Sequence, residues 1–140
     1  MRASLAPSVV LCLSALLPTS EATQAQEAAR SLSLELNRID PLEGACRLTF
    51  LAENGLGADL ASLSLETVLI DRDGRVERLT LFEFGALPQG VPRVRQFDIA
   101  GLACESLGRV LINGVADCSA GDACAAGLEL SSRTDVELVG

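Results

Sequence analysis

The sequence predicts a single all-β domain, an antiparallel sandwich of about seven strands braced by disulfides. Three observations predict it. Apolar and polar residues alternate in short runs from about residue 31 onward, the period of a half-buried strand. Gly, Asn, Asp and Pro clusters separate these runs at roughly regular spacing. Four cysteines lie beyond the N-terminal apolar stretch, an even number in a small chain.

Taken in order, residues 26–31 read as a short leader. Leu32, Leu34 and Leu36 then alternate with Ser33 and Glu35, and Pro41-Leu42-Glu43-Gly44 reads as a turn. Cys46 to Asn54 alternates again, with Leu48, Phe50 and Ala52 facing inward, and residues 54–59 form a loop. A long strand is expected from Leu60 to Ile70. Leu63 and Leu65 point inward, and Val68-Leu69-Ile70 makes both faces apolar, as in a central strand or at a bulge. Asp71-Arg72-Asp73-Gly74 is the strongest hairpin signal in the chain.

Arg75 to Phe84 returns as the next strand, with Leu79 and Leu81 on one face and Val76, Thr80, Phe82 and Phe84 on the other. After a turn at Leu87-Pro88-Gln89-Gly90, the strand Arg93 to Ile99 places Phe97 and Ile99 inward. Arg109 to Asn113 reads as a short buried strand that Asn113-Gly114 ends. Leu128–Ser132 and Val136–Val139 close the chain, and no helix is expected. Seven short strands with turns between them fit an immunoglobulin-like sandwich.

Residues 1–25 have the layout of a cleavable signal peptide: Arg2 near the start, an apolar stretch from Leu5 to Leu17, then Pro18 and small residues. Cleavage is expected after Ala22 or Ala25, and the apolar run is shorter than the roughly 20 residues that span a bilayer. The remaining residues 26–140 are long enough for one domain with one core. Cys12 leaves with the signal, so Cys46, Cys104, Cys118 and Cys124 allow three pairings. The favoured one joins Cys118 to Cys124 across small residues and Cys46 to Cys104 across a long loop. Closing the long loop contributes about 4 kcal/mol. A zinc site lacks its C-x2-C pairs and any His.

Two resemblances follow. Leu48 to Phe97 resembles the FxLYD-type immunoglobulin-like module of exported bacterial proteins. The shared pattern is a strand ending in Asn54, a long strand with Asp71-Arg72-Asp73-Gly74, a return strand, a Pro/Gly turn and a strand holding Phe97. Four segments, residues 44–50, 78–82, 92–98 and 108–114, are similar to small exported bacterial proteins labelled Tat pathway signal-sequence domain proteins. That likeness carries no activity, and this chain has no Arg-Arg pair before its apolar stretch.

The chain has no His, Lys, Tyr or Trp, which removes most proton-transfer and covalent chemistry. Paired carboxylates could still cleave glycosides, but the aromatic platforms that such sites use for sugars are absent. The reading is therefore not an enzyme and no cofactor. A net charge of −8 disfavours nucleic acid and anionic membranes as partners. Asp71-Arg72-Asp73-Gly74 could begin a calcium loop, yet its twelfth position is Phe82 where a Glu is needed, so a turn is expected.

Arg93 and Arg95 lie two apart on one strand face with Arg78 on a possible neighbour, a row suited to a carboxylate or phosphate. The plainer reading pairs them with Glu77, Glu83 or Asp98 on a solvated face. The expected function is a non-catalytic periplasmic binding or accessory module that contacts an envelope protein, with Arg93, Arg95 and Arg78 as its surface. The alternative is a periplasmic carrier of a small ligand or ion, held between the sheets or at the loop end.

Overall fold

A computed structural model describes residues 29–140. The expected signal peptide and Cys12 lie outside the described residues.

The described residues form eight strands: β1 (Ser31–Leu42), β2 (Ala45–Gly55), β3 (Leu63–Asp71), β4 (Val76–Glu83), β5 (Arg93–Ala100), β6 (Leu107–Cys118), β7 (Leu128–Ser132) and β8 (Glu137–Val139). They make two four-stranded sheets, β5-β2-β1-β7 and β4-β3-β6-β8. Their inner faces supply the core. Leu32, Leu34, Leu36, Leu48 and Phe50 come from the first sheet, and Leu63, Leu65, Leu69, Phe82 and Val110 from the second. The order β1-β2-β5 matches strands A-B-E of an immunoglobulin-type sandwich, and β4-β3-β6 matches C′-C-F.

The sheets are mixed, where the sequence predicts antiparallel ones. β7 pairs parallel with β1, and β8 parallel with β6. After β6 the chain turns over through the Cys118–Cys124 loop, runs back beside β1, then reverses again at residues 133–136 into the other sheet. Ser132 and Thr134 hold that reversal, their hydroxyls both donating to the carbonyl of Val136. Alternation shows that a segment is a strand but does not show its partner, so this direction is invisible in the sequence.

Bulges explain the other differences. In β1 the register slips between Leu36 and Arg38, which makes Asn37 the extra residue. Leu36 and Ile39 then both pack on the core although three residues apart. In β6 the slip opposite Glu66 and Thr67 absorbs Asn113. The strand therefore runs on to Cys118 through the Asn113-Gly114 pair that reads as its end. The expected start of β3 at Leu60 is instead an isolated bridge to Leu87, and Pro41 and Leu42 belong to β1, which leaves Glu43-Gly44 as the turn. A five-residue helix, α1 (Asp122–Ala126), sits where no helix is expected. Two-residue alternation cannot reveal so short a helix.

Both disulfides pair as favoured, Cys46 with Cys104 and Cys118 with Cys124.

Candidate functional site

β4 and β5 are the edge strands of the two sheets on the same side of the sandwich. All four phenylalanines of the chain meet there. Phe82 stacks on Phe97 at 4.2 Å, and Phe50 meets Phe82, Phe84 and Phe97 edge-on at 5.6–5.9 Å. The apolar row of β5 therefore anchors it beneath β4 and fixes where the arginines on the same face must go.

Arg93 and Arg95 do share a face of β5, half-buried, in line with Phe97 and Ile99. Arg95 reaches across the edge to the end of β4. Its Nε donates to the carbonyl of Phe84 at 2.6 Å, one terminal nitrogen to Ala86 at 2.9 Å and the other to its own neighbour Val94 at 3.0 Å. The Phe84 and Ala86 carbonyls belong to the chain leaving β4, so Arg95 is a fastening between the sheets, with each of its three guanidinium nitrogens bonded. Among the described residues Arg93 bonds only to the carbonyl of Pro92, at 3.2 Å.

Arg78 stands elsewhere. Its terminal nitrogen lies 3.8 Å from where a β-carbon on Gly101 would sit, at the far end of β5. Phe82 and Phe97 separate it from Arg95, and six residues of strand put the two about 20 Å apart. The three arginines do not form one site. Among the described residues none of the three forms an ion pair with Glu77, Glu83 or Asp98. Asp98 is taken by Arg47, through two bonds of 2.6 and 2.8 Å. That guanidinium holds the Asp98 carboxyl below its ordinary value. Alanine at both Arg93 and Arg95 would therefore disturb the fold as well as any binding. Arg95→Ala should lower the unfolding free energy by about 1–2 kcal/mol through lost charge-assisted bonds, and Arg93→Ala by less than about 0.5. Urea denaturation of the single variants checks this, and equal losses would remove the fastening role.

The Asp71-Arg72-Asp73-Gly74 segment closes as a hairpin turn. One Asp71 carboxylate oxygen accepts the backbone N–H of Asp73 at 2.9 Å and of Arg75 at 2.8 Å, and Gly74 takes φ 83°. The carboxylate is thereby engaged in turning the chain. Among the described residues, no group of three or more Cys, Asp or Glu side chains is placed to hold a metal ion. The space between the sheets, where a carrier would seat its ligand, is filled by leucine and phenylalanine side chains with no exposed surface.

The surface that sequence reasoning missed is the outer face of the second sheet. Leu79 pairs with Val68, Val68 with Leu111, and Leu111 with Val139. These four form an apolar row across every strand of the sheet on its outer side, in which Leu79 is exposed, Leu111 and Val139 are half-buried and Val68 is buried by its neighbours. Leu81 lies next to it on β4, 53% exposed, and Leu79 is 61% exposed. Val76 joins them at 68% exposure. Alternation puts Val76 with Thr80 and Phe82, but the register slips between Leu69 and Ile70, so that Val76 pairs with the outward Ile70. The bulged residue is Glu77. A signal was available: β4 reads as apolar on both faces, and an edge strand buries only one of them.

The first sheet's outer face is bonded across its strands by Arg47 and Asp98, Gln96 and Thr49, and Arg133 and Glu35, with an exposed Val94 beside Leu51. The second sheet's outer face has Arg109 bonded to Glu137 and Asn113 to Glu66 on either side of its apolar row. The molecule is thus a disulfide-braced β-sandwich whose exposed apolar side chains are densest on β4. No family model, curated protein or solved structure matches the chain.

Proposed function

We propose that this protein is an exported, non-catalytic module that acts by contact with another polypeptide, through the outer face of its second sheet. The observation that carries the reading is the apolar row Leu79–Val68–Leu111–Val139 with Val76 and Leu81 beside it. Three exposed apolar side chains gathered on one strand, Val76, Leu79 and Leu81, with the row continuing beneath them, favour a protein interface over solvent. The N-terminal layout of residues 1–25 supports export, and the two disulfides are compatible with an oxidising compartment such as the periplasm. On the first sheet's outer face Arg47, Thr49 and Glu35 are already bonded to neighbouring side chains, which leaves them less to offer a partner.

A photo-crosslinking residue placed at Leu79, with Gln96 on the opposite face as control, tests the reading in cells that export the protein. Adducts are expected at position 79 and not at 96. Adducts at neither position, or equally at both, would remove this face as the contact surface.

A further inference from the structure

We propose that the polypeptide received on this face carries apolar residues beside a cluster of Lys or Arg. Its apolar side chains lie on Leu79 and Leu81, and its cations on Glu66, Glu83 and Asp117. The inference rests on the contact reading above and names the chemistry of the occupant.

The strand register fixes what the outer side of the second sheet presents. Four rows cross it. Glu83, Ser64 and Asp117 form the first, and Leu81, Glu66 and Gly114 the second. Leu79, Val68, Leu111 and Val139 form the third, and Val76, Ile70, Arg109 and Glu137 the fourth. The two ends of the face therefore differ in chemistry. Apolar side chains fill the third row and the β4 and β3 positions of the fourth. The carboxylates of these rows that lack an arginine, Glu66, Glu83 and Asp117, all lie in the first two. Four residues of strand, about 14 Å, separate Leu79 from Glu83.

Those carboxylates select the sign of the partner. Arg109 is the only cation in the four rows, and it is bonded to Glu137 at 2.9 Å. Glu66 accepts a bond from the amide of Asn113, and Asp117 from the hydroxyl of Ser62, both neutral donors. Among the described residues Glu66, Glu83 and Asp117 take part in no ion pair. Glu66 also borders, with Leu79, Thr80 and Leu81, a groove of about 540 Å³. A lysine or arginine side chain suits such a groove, because its methylene stem covers apolar surface while its head reaches a carboxylate. An acidic segment brings like charge to the same rows, and so does a second copy of this chain at net charge −8.

The experiment is an NMR titration of the purified, oxidised chain at physiological salt, which registers weak binding and locates it on the backbone amides. The probe is a peptide with Leu and Ala in its first half and Lys in its second. Saturable shifts are expected in β3, β4 and β6. Leu79→Ser should weaken the affinity about tenfold, and Glu66→Gln or Glu83→Gln about threefold each. Glu129→Gln removes the same charge from the outer face of the first sheet and should leave the affinity unchanged. Circular dichroism confirms that each variant keeps its strands. Equal weakening by Glu129→Gln would assign the binding to net charge alone and overturn the inference. So would a titration that leaves the outer face unshifted, or equal affinity when Glu replaces the Lys residues or Ser the Leu residues of the probe. The crosslinking at Leu79 separates the two readings. An adduct there, with no binding of the lysine peptide, ends the basic partner and keeps the contact face. No adduct at Leu79 ends both.

Discussion

Phe50→Ala is expected to lower the unfolding free energy by about 3–5 kcal/mol, a large part of what a domain of this size has. Phe50 lies on β2 with no exposed surface, and its ring meets three others edge-on within 6 Å, two of them from β4 and the residue just beyond it. The deletion removes apolar burial and opens a cavity between the sheets. It also removes aromatic pairs worth about 0.5–1.5 kcal/mol each beyond their area. Close packing of Phe82 on Phe97 limits how far the cluster can collapse into the gap. Urea denaturation with Phe50→Leu as comparator measures the effect, and the leucine variant should recover more than half of the loss. A loss below about 1 kcal/mol would mean that the leucine-rich remainder of the core holds the sheets together without the rings.

The alternating runs made most of this architecture legible. Leu48, Phe50 and Ala52 face inward as read, and so do Leu63 and Leu65, because each residue in a strand projects opposite to the next. The Asp71–Gly74 turn was legible because Asp and Gly have specific uses there, a side-chain acceptor and a positive φ. Three things were not legible. A bulge adds one residue with no local signature, so Val76 changed face and β6 outran its apparent terminator. Strand direction at β7 and β8 depends on the path of the connections rather than on pattern.

The third is the site itself. A row of arginines in sequence says where charge lies along a strand but not what backbone stands opposite. Arg95 faces the bare carbonyls of Phe84 and Ala86, so its charge is consumed by the fold. The open surface is apolar instead, exposed along β4 and continued by Val68, Leu111 and Val139. Its β4 and β3 portions could be read locally, whereas the placing of Leu111 and Val139 beside them could not.

Removing the Cys46–Cys104 bridge, by alanine at both positions, should cost about 4 kcal/mol, and removing Cys118–Cys124 about 2 kcal/mol. The difference follows from the lengths of chain that each bridge closes in the unfolded state, sequence separations of 58 and 6. The long bridge also works in the folded state. Cys46 is fully buried near the start of β2, and Cys104 lies in the single turn of 3-10 helix on the crossing from β5 to β6. The bridge therefore pins the crossing to the first sheet, next to the bond from the Gly101 N–H to the Gly44 carbonyl.

The short bridge holds α1 against the end of β6, and Cys124 is just as buried. Parallel denaturation of the two double variants separates the mechanisms. A gap of about 2 kcal/mol in favour of the long bridge would assign the stabilisation to restriction of the unfolded chain. Equal losses would mean that the folded-state contacts of each bridge dominate. The role of the local loop would then be to hold the turnover that sends β7 back along β1, the contact that gives the first sheet its parallel edge.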